Sequence, residues 1–219
     1  MYLVYDIETV VNSRARHYYD TLKDAGLYTA PSNYKDPEKI AAYIENAIQA
    51  DMAKGALRWW TGQIIAIGCE LVHPKQERKM FISLEDEEKV LRGFFDYIEA
   101  ISKSYSIEII GKQNKDFDDP YVRGRAMYHN IGLPPQFRSN RSITDVNEIF
   151  GISSSGGQRG KLRDYAYGLG LPTKLADGAD VAGMATAKNT DAIAAYCARD
   201  VEITAEIVRR YTKQYTSEV

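Results

Sequence analysis

YLVYDIE, residues 2–8, is rich in β-branched and aromatic residues and reads as a strand. Successive side chains on a strand point to opposite faces, so Leu3, Tyr5 and Ile7 share one face and Val4, Asp6 and Glu8 the other. Two carboxylates side by side on a central strand repel each other unless a cation lies between them or water reaches them. Hard oxygen donors of this kind suit Mg2+ or Mn2+. The plain alternative is a strand end emerging into solvent, where acids are commonplace.

Three further apolar runs, residues 64–72, 79–82 and 107–110, read as the remaining strands. Between the first two strands lies an excursion with one clear helix. Asp36 caps it, Pro37 suits its first turn, Ile40, Ile44, Ile48 and Met52 recur every fourth residue, and Gly55 ends it. Residues 86–101 carry a helical stripe of Val90, Leu91, Phe94, Phe95, Ile98 and Ile101. Helices then dominate: residues 119–130 opened by Pro120, 162–169 closed by Gly170, and 191–211. Residues 151–160, GISSSGGQRG, read as a flexible loop. The expectation is one α/β domain over residues 1–219, with a helical excursion inserted at about residues 12–58.

The last helix brings a second signal. Ile193, Cys197, Val201, Thr204 and Val208 fall on one stripe, and Asp200 stands in its middle. An ionised carboxylate on a buried face is costly unless it is paired or binds metal, so the alternatives are a salt bridge and a cation site. Tyr196 lies one turn earlier, placed to hold or polarise a water next to an inward acid. Asp116, Asp118 and Asp119 crowd the start of the helix at Pro120, where capping needs only one acid. One of the three is free to face the same cation.

Composition narrows the function classes. A chain of 219 residues, 44% apolar and 26% charged, is globular and too short for a polymerase or helicase. With 28 basic and 30 acidic residues the net charge is −2, so nucleic acid has to be gripped locally or through metal. Two cysteines, Cys69 and Cys197, rule out a disulfide framework or a zinc cluster and suit a reducing interior. No apolar run approaches the length of a membrane span, and the amino terminus carries acids where a signal peptide is basic. A soluble cytoplasmic protein is expected.

Together DIET at 6–9, GKQNKDFDDPY at 111–121 and YCARDV at 196–201 resemble the three motifs of the DEDD-superfamily 3′-5′ exonucleases. Tyr in the third motif points to the Tyr subclass, and the chain is most similar to stand-alone relatives of the proofreading exonuclease domain of family-B DNA polymerases. APSNYKDPEKIAAYI and GALRWWTGQIIAIG also resemble this group, so the likeness spans the chain. It implies a ribonuclease-H-like fold, a mixed five-stranded sheet flanked by helices, and two divalent cations, Mg2+ or Mn2+. By position Asp6 and Glu8 match the first motif, Asp118 after Phe117 the second, and Tyr196 with Asp200 the third. The resemblance implies that Asp6, Glu8, Asp118 and Asp200 hold the ions and that Tyr196 orients the attacking water. Either Gln113 or Asn114 takes the role of the second motif's Asn.

The implied substrate is a nucleic-acid 3′ end, DNA favoured and single-stranded, released as 5′-mononucleotides. RNA remains the alternative substrate, and a non-catalytic binding or polymerase-accessory module of the same fold the alternative function. With no polymerase module attached, any proofreading is expected to act in trans, in association with a replication or recombination machinery. Between Lys112 and Arg163 nine basic residues face five acids, a local field in which Arg159 and Lys161 of the loop track phosphates. Asn114, Phe117 and Trp59 are the other candidate substrate contacts. Trp59 and Trp60, adjacent to a strand, are expected to point one inward and one outward. The strand end LVYDIET also resembles that of haloacid-dehalogenase-type phosphatases. Those need a second Asp where Glu8 stands, and they leave Tyr196 and Asp200 unexplained.

Overall fold

The computed structural model describes residues 1–72, 76–138, 143–152, 160–172 and 180–216. The first half contains β1 (Tyr2–Val11), α1 (Ala15–Asp24), α2 (Pro37–Met52), β2 (Gly62–Val72), β3 (Glu77–Ile82) and α3 (Glu87–Ser102). The second half contains β4 (Glu108–Gly111), α4 (Asp118–Tyr128), β5 (Ile143–Asp145), α5 (Val146–Ile149), α6 (Leu162–Gly168), α7 (Asp180–Thr186) and α8 (Thr190–Thr216). Among the described residues, no helix is long and apolar enough to cross a membrane.

Five of the described strands form one sheet in the order β3-β2-β1-β4-β5. β2 and β3 pair antiparallel with Ala66 opposite Ile82, whereas β1 and β4 run parallel with Leu3 opposite Ile109. β5 joins β4 in parallel through Ile109 and Ile143. This is the mixed five-stranded sheet expected. β5, only Ile143, Thr144 and Asp145, is too short to show alternation, and α5 and α7 are too short to show a helical period.

The chain divides into two compact units, Met1–Glu8 with Ile64–Val219, and Thr9–Gln63. In the larger unit the faces of β1 separate as the alternation requires. Leu3, Tyr5 and Ile7 pack with Leu91, Phe94 and Ile98 of α3 and Tyr121 and Val122 of α4. The Tyr5 ring lies 5.4 Å from that of Phe94 and 5.8 Å from that of Phe137. Val4, on the other face, packs with Ile110 and with Val201, Ala205 and Val208 of α8. Each large apolar side chain buried this way stabilises by about 1.5–3 kcal/mol.

β2 is buried along nearly its whole length, so its sequence is a continuous apolar run rather than an alternation. Its one acid, Glu70, is held by Arg78 at 2.6 Å and by Arg209 of α8. Glu87, at the start of α3, is another buried ion-paired acid. It accepts from Arg125 at 2.5 Å, from His129 at 2.8 Å and from the Ile64 amide at 2.7 Å.

In the smaller unit α2 begins where its cap signal places it: Asp36 accepts from the Glu38 amide over 2.9 Å, with Pro37 in the first turn. The unit holds a second helix, α1, which sequence periodicity did not indicate. Only Ala15 and Tyr19 of α1 are buried, against Ile48 of α2, and no side chain caps its start. Arg58 ties the unit together through Tyr19 Oη at 2.8 Å and Asp51 at 3.2 Å. Trp59 and Trp60 are both exposed, 40% and 48%, with their rings edge to face at 5.7 Å. The expected inward and outward division fails because the pair occupies the turn before β2, where strand alternation does not operate.

Candidate active site

Asp6 and Glu8 leave β1 on the face that carries Val4, toward α8, and one carboxylate oxygen of each lies within 4.8 Å of the other and of Cys197 Sγ. Glu8 is 7% exposed. Cys197 is wholly buried on α8, and its thiol donates to the main-chain oxygen of Asp6 over 3.6 Å. Burial, and then the charges of Asp6 and Glu8, hold that thiol well above its ordinary range.

All five residues of the expected α8 stripe, Ile193, Cys197, Val201, Thr204 and Val208, are buried. That packing turns the helix so that Asp200, half-buried, lies near Cys197, and Tyr196, 9% exposed, lies one turn before Asp200.

Asp118 arrives from the chain that follows β4, the strand next to β1. β4 ends at Gly111, and the chain turns through Gln113, whose φ is +60°, into α4. The Gln113 carbonyl accepts from the Asp116 and Phe117 amides at 3.1 and 3.0 Å, so the left-handed residue closes the turn. Asp118 Oδ1 then accepts from the Ile7 amide over 3.3 Å, beside Asp6. Burial pushes the Asp118 carboxyl from 3.8 to about 7, opposed by its own amide and that of Ile7 and reinforced by Asp145 and Asp119. Of the three acids crowded here, Asp119 pairs with Arg123 at 2.9 Å, and Asp116 is exposed.

A cleft of about 400 Å³ opens over this arrangement, lined by Asp6, Ile7, Lys112, Gln113, Asp116, Phe117 and Asp118. Lys112 lies 5.2 Å from the Tyr165 ring and close to Asp145. Sequence reasoning did not single out Lys112, Asp145 or Cys197 as site residues. The signals were a basic residue next to the left-handed turn, an acid closing β5, and a cysteine on the stripe that carries Asp200.

The remaining candidates are distributed differently. Phe117 lines the cleft with its ring 5.5 Å from that of Tyr121. Asn114 is wholly buried, its Oδ1 accepting from the Lys115 amide at 3.1 Å, whereas Gln113 is the exposed neighbour on the cleft. Trp59 belongs to the smaller unit. Lys161 is exposed at the start of α6, and its amide donates to Asp164 at 2.7 Å. Arg159 and most of the expected loop, residues 153–159, lie outside the described residues. Among the described residues, four bases of the local field are held in ion pairs, Lys115 with Glu148, Arg123 with Asp119, Arg125 with Glu87 and Arg163 with Asp164.

The donor set fits the ions implied for it. Asp6, Glu8, Asp118 and Asp200 supply only carboxylate oxygens, the ligands that Mg2+ and Mn2+ prefer, and the desolvated Asp118 gains from a nearby cation.

A family model described as a predicted 3′-5′ exonuclease related to the exonuclease domain of PolB matches residues 57–213. Among solved structures the chain is similar to the family B DNA polymerase from the hyperthermophilic archaeon Pyrobaculum calidifontis, with a TM-score of 0.59 at 18% identity. That likeness covers 95% of this chain but only 24% of the polymerase, and it shows the ribonuclease-H-like exonuclease fold. No curated protein matches the chain significantly in sequence.

Proposed function

The chain belongs to the family of predicted 3′-5′ exonucleases related to the exonuclease domain of PolB, and on that premise we propose that it removes nucleotides from the 3′ end of single-stranded DNA. The observation that carries this reading is that Asp6 and Asp118 line one cleft, with Glu8 beside Asp6 and Asp200 near the Cys197 sulfur that adjoins both β1 acids. The four acids come from three elements, and Glu8 and Asp118 are nearly buried.

In the proposed reaction a water oxygen attacks the terminal phosphodiester in line, the P–O3′ bond breaks, and the departing 3′ oxygen takes a proton. The products are a 5′-mononucleotide and a strand shorter by one residue. Asp6, Glu8, Asp118 and Asp200 would hold two divalent cations, which would supply charge to offset the anionic transition state and lower the pKa of the water. Tyr196 holds that water through its hydroxyl, its ring fixed by the packing of α8. Lys112 places positive charge at the cleft, and Phe117 and Gln113 give its wall an apolar ring and an amide for the terminal nucleotide. Nothing in the cleft separates deoxyribose from ribose, so RNA is tested beside DNA.

End-labelled oligonucleotides with a phosphorothioate at one terminus test the polarity. A 3′-terminal phosphorothioate is expected to block digestion and a 5′-terminal one to leave it unchanged. The reverse pattern refutes the proposal.

A further inference from the structure

The sulfur of Cys197 forms the floor of the acid pair, within 4.8 Å of an oxygen from Asp6 and one from Glu8. Among the described residues no other three His, Cys, Asp or Glu groups gather this tightly. A thiol in that place offers nothing to Mg2+ or Mn2+, which take oxygen. Zn2+ differs: it accepts a thiolate at about 2.3 Å together with carboxylate oxygens at about 2.0–2.2 Å, corners of a tetrahedron about 3.5 Å apart, and Cd2+ shares its affinity for thiolate with somewhat longer bonds. The three donors already lie within 4.8 Å of one another, on a strand and a helix that are both packed into the core.

The backbone of β2 fixes the sulfur. A Cβ on Gly68 would stand 2.9 Å from Sγ, so the bare glycine is what lets Cys197 seat against the sheet with its sulfur beside the acids. Cys69, the other cysteine, lies in the opposite core with Leu3 and Phe94, which makes it an internal control.

We propose that Asp6, Glu8 and Cys197 bind one thiophilic divalent cation, Zn2+ or Cd2+. The thiol proton leaves to solvent as the sulfur–metal bond forms. The bound ion occupies both carboxylates and shuts the site to harder cations. The site shares two acids with the proposed exonuclease centre, but its readout needs no nucleic acid.

Cd2+ titrated into the protein alone is followed by the ultraviolet thiolate-to-metal charge-transfer band. The band should saturate at one equivalent in the wild-type chain and in Cys69→Ala, and be absent from Cys197→Ser. Glu8→Gln, which keeps the sulfur, should need at least about tenfold more Cd2+ for the same signal. That second variant decides the matter if Cys197→Ser melts too low to compare. A wild-type chain without the band, a band that survives Cys197→Ser, or an unchanged titration in Glu8→Gln overturns the proposal. A chain that shows the band but cleaves no nucleic acid keeps this site and loses the exonuclease reading; cleavage without the band does the reverse.

Discussion

The Ile7 amide donates to Asp118 Oδ1 over 3.3 Å, joining residues 111 positions apart in the chain. That bond anchors the start of α4 to β1 one residue from Asp6, and it brings the second motif's acid to the first motif's.

Asp118 also sets a pH dependence. Its carboxyl keeps a proton up to about pH 7 when folded, against 3.8 ordinarily, so between those values the folded chain binds more protons than the unfolded one. Stability of the metal-free protein therefore falls as pH rises through that window. Melting in chelator should show this fall, and Asp118→Asn should flatten it. A residue of slope should remain, because burial also raises Asp119 and Asp145. An unchanged slope in Asp118→Asn contradicts the assignment.

Tyr196→Phe separates packing from chemistry. The ring is nearly buried, and phenylalanine keeps its apolar contacts. If the hydroxyl holds the attacking water, turnover should drop toward the lower end of the roughly 10²- to 10⁴-fold range of positioned acid-base groups, at an unchanged melting temperature. A drop of less than about threefold at saturating metal leaves Tyr196 as scaffold, since effects of positioned groups start far higher.

Gly68→Ala tests the seat of α8. The new Cβ would meet Cys197 Sγ at 2.9 Å and Val201 Cγ2 at 3.1 Å, both on that helix. Overpacking here should cost about 1–3 kcal/mol, read by denaturant unfolding. Wild-type stability would mean that the helix shifts without cost.

Much of this was legible in advance. Periodicity and apolar runs locate β1 to β4, α2, α3 and α8, because amphipathic elements write their buried faces into the sequence, while Pro120 and Gly170 mark α4 and α6. α1 was missed because its contact with α2 needs only two buried residues, and β5 because three residues carry no period. The acids of β1 and α8 stood out as charges on buried faces. Lys112 and Cys197 did not, since their importance comes from what the fold sets beside them: a cleft in one case, a glycine and two carboxylates in the other.

Arg125→Met asks whether the buried pair with Glu87 holds α3 to α4. Removing the guanidinium leaves Glu87, 8% exposed, with His129 and the Ile64 amide as its remaining partners. A loss of about 3–5 kcal/mol is expected in equilibrium unfolding. A neutral result would show that those two partners suffice.

Asp6 is expected to serve a cation-dependent cleavage. Digestion of 5′-labelled single-stranded DNA, with Mg2+ or with EDTA, compares the wild-type chain with Asp6→Ala. The wild-type chain should produce a ladder of progressively shorter labelled strands in Mg2+ and none in EDTA. Asp6→Ala should be slower by at least about 10²- to 10³-fold, the scale on which a charge-stabilising group is felt, while melting no lower than the wild type. Full turnover in EDTA, or an Asp6→Ala chain as fast as wild type, would contradict it.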